Sequence, residues 1–183
     1  MAKGSSGVGD IPSGASVRVN ITNEQKPSSE IVKALTQYKI MAAEAFPELK
    51  GQIYNEFNKL VEGDFSKSNI LGVYVPSLKK IVIRRGLAKN LAKMKGTVSH
   101  ELAHALSITP RNGFNSTTTA FKRAFAEYRR SHPRATQQSF ARSISSYAAT
   151  AKSEAFAEAF RDFTMNGKNA SAASKLIMKH WRR

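Results

Sequence analysis

The stretch "NILGVYVPSLKKIVIRRG", residues 69–86, decides what kind of fold this 183-residue chain can adopt. Two β-branched runs flank Pro76-Ser77-Leu78-Lys79, the pattern of an antiparallel hairpin with a loop of four residues or slightly more. Gly86 ends the hairpin, and from there the sequence changes period. Apolar residues recur at helical spacing over 89–107, 116–131, 152–166 and 170–181, with breaks at 110–113 and at Pro133. Strands that come early and helices that come late predict an α+β domain.

Upstream of the hairpin, Ile31, Leu35, Tyr38 and Met41 fall at near-helical spacing. With Ser28 or Ser29 as the cap and Pro47 as the stop, they predict a helix over about 29–45. In "GQIYNEFNKLVEG", residues 51–63, Ile53, Phe57, Leu60 and Val61 favour a helix, but the segment is short and stays ambiguous. Residues 1–27 are rich in Gly, Ser and Pro, with one β-like alternation at 16–22. They read as a flexible arm able to end in a strand, leaving 28–183 as one domain.

The chain has no cysteine, which removes disulfides and thiolate metal ligands. Its N-terminus has no apolar segment of the signal-peptide kind, and no run approaches the ~18 apolar residues of a membrane span. The expectation is a cytoplasmic or virion-associated protein. Net charge is +16 and unevenly spread. Residues 1–64 carry 7 Lys/Arg against 8 Asp/Glu, whereas residues 65–183 carry 22 against 5. Such a surface suits contact with nucleic acid or another polyanion, and it equally suits a merely solvated cationic surface. No aromatic-interleaved RNA motif, basic zipper or zinc-finger spacing tips that balance.

Within the helix predicted over 89–107 lies "SHELAHAL", residues 99–106, with two of the four histidines. His100 and His104, at i and i+4, project from one face of that helix and can reach a single ion. Glu101 lies about 100° further round the axis, placed to hold a water without ligating the metal. This is the H-E-x-x-H arrangement of zinc peptidases. Four His and ten Glu shuffled through this length give ~0.005 chance matches, so accident is a poor account.

A catalytic zinc needs a third protein ligand and an open position. The metzincin extension is absent, because Ser107 and Pro110 stand where Gly and His are required. His132 lies in a Pro-flanked turn and His180 near the basic C-terminus. A carboxylate is the better candidate. Only Glu101, Glu127, Glu154, Glu158 and Asp162 are acidic beyond residue 64. Glu154 and Glu158 sit one turn apart among Phe156, Ala157, Phe160 and Phe163. If that helix packs, zinc for one and a ligating imidazole N–H for the other would satisfy both. The competing reading is an amphipathic helix with both Glu turned outward.

"HELAHAL" followed by "SYAATAKSEAFAEAF" resembles the catalytic domain of anthrax lethal factor and related zinc-peptidase domains encoded by phages. That family carries H-E-x-x-H and then a Tyr seven residues before a zinc-ligating Glu. The matching residues are His100, Glu101, His104, Tyr147, Glu154 and the run 156–160, in two blocks within 96–163. Ala155 departs from the family, where an aromatic is common. The resemblance implies a zincin-like domain with a small N-terminal sheet, an active-site helix and a mainly helical C-terminal part. It implies Zn²⁺ held by His100, His104 and Glu154. Glu101 would act as general base on a metal-activated water, and Tyr147 would donate to the oxyanion. Glu158 would orient a ligating histidine from behind. In such peptidases an edge strand holds the substrate extended, and "KKIVIRR", residues 79–85, is the candidate for it. A plain charged edge that resists aggregation fits those residues as well.

The expectation is therefore a gluzincin-type zinc metalloendopeptidase with a polypeptide substrate. Its rivals are a non-enzymatic virion or DNA-associated basic protein with a structural zinc site, and a zinc hydrolase acting on something other than a polypeptide.

Overall fold

The computed structural model describes residues 5–9, 17–108 and 112–182. Of the arm expected over 1–27, residues 1–4 and 10–16 lie outside the described residues, as does Pro110 of the expected break. The chain is α+β and divides into two units, Met1–Leu106 and Ser107–Arg183.

In the first unit, strands β1 (Ser5–Gly9) and β2 (Val17–Gln25) pair antiparallel. Helix α1 (Ser29–Ala45) follows within the predicted bounds, and Ser28 caps it by accepting from the Ile31 N–H. The Ser28 N–H donates in turn to Glu62 Oε2 at 3.1 Å. Helix α2 (Lys50–Asn58) ends earlier than the apolar pattern suggests. Val61 opens a strand instead, β3 (Val61–Phe65), which pairs antiparallel with β2. The irregularity in that pairing falls around Asn23, whose φ of 52° is left-handed. Asn tolerates this region better than most residues. β3 is inconspicuous in the sequence because Glu62 and Asp64 interrupt its apolar residues; Glu62 is nonetheless buried against the start of α1.

The hairpin forms as predicted from β4 (Gly72–Val75) and β5 (Lys80–Arg84), with residues 76–79 between them. Sheet order is β1-β2-β3-β5-β4, with β3 and β5 parallel. The expectation that residues 79–85 form the edge is therefore overturned: β5 lies inside the sheet and β4 is the edge. Ile81, Val82 and Ile83 are all fully buried, as a strand covered on both faces requires. Val82 joins Ile21, Phe65, Val73 and Val75 in one core cluster, while alternation puts Ile81 and Ile83 on the opposite face. Helix α3 (Leu91–Ile108) follows, and buries Met94, Val98, Leu102, Ala105 and Leu106.

The second unit is helical: α4 (Thr117–Ser131), α5 (Gln137–Arg142), α6 (Lys152–Asn166) and α7 (Ala172–Trp181). Ser116, Thr136 and Ser171 cap α4, α5 and α7. Trp181 packs its ring near Phe114, Phe156 and Phe160, at 4.6, 4.9 and 6.3 Å between centroids. Among the described residues no helix is long and apolar enough to cross a membrane.

Candidate metal centre

α3 carries the histidine pair because its repeat brings residues four apart onto one face. His100 Nε2 and His104 Nε2 lie 3.1 Å apart, with the rings edge-on at 72°. Two nitrogens bound at ~2.0–2.1 Å to one tetrahedral ion stand about 3.3 Å from each other, so the pair is spaced as ligands are. His100 is only 9% exposed. Next to it, Ser99 is buried and accepts from the Tyr38 hydroxyl of α1 at 2.5 Å, which ties this turn of α3 to its own unit.

Glu101 points elsewhere, as its place on the helix requires. Its Oε2 accepts the backbone N–H of Tyr74, in the edge strand β4, at 2.8 Å. Gly72 of the same strand explains the close approach. A Cβ there would stand 2.6 Å from Thr97 Cγ2 and 3.4 Å from Glu101 Cγ. Tyr74 itself is buried, and burial pushes its phenol above the usual range, with the Glu56 charge adding to the effect. Sequence reasoning missed both β4 residues. A backbone N–H leaves no mark on residue type, although a glycine opening a β-branched run hinted at close backbone approach.

In the second unit, Glu154 opens α6 and is 1% exposed, and Glu158 one turn later is 8% exposed. Every residue from Glu154 to Phe160 is buried, so the outward-facing alternative for these carboxylates does not hold. Glu158 Oε1 stands 3.4 Å from Arg161 Nη1. Tyr147 lies in a single 3₁₀ turn, Tyr147–Ala149, and is 38% exposed. The other two histidines have different employment. His132 stacks on Tyr128 at 4.0 Å, and His180 Nε2 meets Glu127 Oε2 at 2.6 Å.

Among the described residues, His100 and His104 of the first unit and the buried Glu154 of the second are side chains of the kinds that can hold a metal ion. Two imidazoles and a buried carboxylate are a donor set that suits zinc without being specific to it. Comparison with protein-family models, with curated proteins and with solved structures finds no match to this chain.

Proposed function

We propose that this chain is a zinc-dependent metalloendopeptidase of the gluzincin type, with a zincin-like fold. The observation that carries the reading is the His100–His104 pair of α3, spaced as ligands of one ion are, with Glu101 on the same helix; Glu154 is the third ligand that the resemblance implies. Three protein donors leave one position of a tetrahedral ion open, which a catalytic site needs and a closed structural site lacks. A zinc ion held there supplies Lewis acidity, lowering the pKa of water and polarising a carbonyl. Glu101 takes the proton from the attacking water and delivers it to the leaving amine. Tyr147, with its phenol part-exposed, donates a hydrogen bond to the oxyanion as it forms, a contribution of ~2.7–4 kcal/mol for donors of this kind. Glu158 fixes an imidazole through its N–H. The peptide lies extended along β4, which ends the strand order, rather than along β5.

Metal analysis of purified protein, paired with a peptide-hydrolysis assay, tests the reading. About one zinc per chain is expected in the wild type and in Glu101→Gln, with hydrolysis only in the wild type. His104→Ala should lose the metal. Equal zinc content in wild type and His104→Ala would sink the proposal.

A second reading, a non-enzymatic virion or DNA-associated basic protein with a structural zinc, draws on one observation. Lys122, Arg123, Arg129 and Arg130 of α4 are all exposed, and Glu127 of that helix is engaged by Lys179 and His180. Zinc bound at one per chain without hydrolysis of any peptide would favour this second reading.

A further inference from the structure

The hydrogen-bond register of the hairpin determines which main-chain groups of β4 are turned away from the sheet. The Arg84 N–H donates to Leu71 O at 2.8 Å, and Val73 faces Val82 two residues further along each strand. Alternation in an antiparallel pair then directs the N–H and C=O of Val73 and Val75 toward β5, and those of Gly72 and Tyr74 away from it. On an edge strand such outward amides are ordinarily left to water or to an added strand. Tyr74's is not: its N–H reaches Glu101 Oε2 at 2.8 Å. A charged acceptor makes this a stronger bond than a neutral one of the same length.

Two further features keep the contact in place. Gly72 has no Cβ, so Thr97 and Glu101 of α3 can lie against the strand; any side chain at that position would meet Thr97 Cγ2 at 2.6 Å. The Tyr74 side chain is buried, which anchors the backbone at the residue that donates.

We infer that the Tyr74 backbone amide is a positioning group for the general base. It holds one oxygen of Glu101 and leaves the other to face the reacting water. The role rests on the peptidase reading, whereas the hydrogen bond does not. The base is therefore set by the sheet as well as by its own helix, and the Tyr74 amide belongs to the base rather than to a bound peptide.

Amide hydrogen exchange on the ¹⁵N-labelled full chain tests the bond without reference to activity. Tyr74 should exchange slowly in the wild type and at least about 10-fold faster in Glu101→Ala, while Val73 and Val75 keep their protection in both. An unchanged Tyr74 rate overturns the inference. The role is read from two variants that both remove the phenol. Tyr74→Ala retains the N–H and Tyr74→Pro deletes it, at an edge position where the ladder does not use it. Zinc content and KM should match between the two, with kcat about 10- to 100-fold lower in Tyr74→Pro, as for other small misplacements of a reacting group. Equal kcat values would make the bond structural and overturn the positioning role. A Tyr74 rate that depends on Glu101 in a wild-type protein that hydrolyses no peptide would instead overturn the peptidase reading and leave the bond standing.

Discussion

Glu154 and Glu158 show how far residue type can be read and where position takes over. Both are buried on α6, and from the sequence they look interchangeable. One turn separates them by ~5–6 Å, too far for both to bind an ion already held at ~2 Å by two imidazoles. The spacing to Tyr147 in the resembling family assigns the ligand to Glu154. Glu154→Ala should therefore abolish peptide hydrolysis and release zinc at modest chelator concentration. Glu158→Ala should keep most of its zinc and retain activity reduced by ~10–100-fold, the usual cost of losing a group behind a ligand. Chelator titration followed by hydrolysis on both variants checks the ranking, and the opposite order would move the third ligand one turn along. The histidine pair was legible because its spacing is a property of residue type. The partner of Glu101 was not, because any residue but proline at position 74 offers the same N–H.

At the scale of elements, the signals that survived are those with local causes. Ser28 and Pro47 bracket α1, and the four-residue loop fixes the hairpin register. What failed depends on tertiary neighbours. β3 was hidden by Glu62, whose burial makes sense only beside the start of α1. The edge falls on β4 and not on residues 79–85, in keeping with Ile81, Val82 and Ile83, which form the continuous apolar run of an inner strand. Lys79, Lys80, Arg84 and Arg85 give that run the charged flanks of an edge strand. The packing of β4 on α3 gives a test at this scale. Gly72→Ala places a methyl 2.6 Å from Thr97 Cγ2, and both belong to regular elements that cannot easily separate. The expected loss is about 1–3 kcal/mol by chemical denaturation, typical of overpacking. Thr97→Ser removes the clashing carbon and keeps the hydroxyl that donates to Lys93 O. In the Gly72→Ala background it should recover at least half of the loss. A double variant no more stable than Gly72→Ala would show that the strain lies elsewhere.

For the molecule as a whole, the charge is unevenly divided between the units. Ser107–Arg183 carries 14 Lys/Arg against 4 Asp/Glu. Two of those acids, Glu154 and Glu158, are buried, Asp162 accepts from Asn166, Ser171 and Ser174, and Glu127 is held below the usual carboxylate range by its hydrogen bonds from Lys179 and then His180. No free acid therefore offsets the exposed cations of α4. Helical geometry gathers Lys122, Arg123, Arg129 and Arg130 into about 120° of that helix. Net charge was legible from composition, but this clustering needed the helix and its burial pattern. A face of four cations with no large exposed apolar side chain among them suits phosphates better than a bilayer, which would require an apolar anchor. If the face binds duplex DNA, about four phosphate contacts should give log K against log salt a slope of about −3 to −4. Lys122→Glu with Arg130→Glu should flatten that slope by about 2 and leave zinc content and peptide hydrolysis unchanged. Fluorescence anisotropy between low and moderate salt reads both quantities. An affinity that the double reversal leaves intact would make the α4 face a solvated surface and place any polyanion contact elsewhere on the chain.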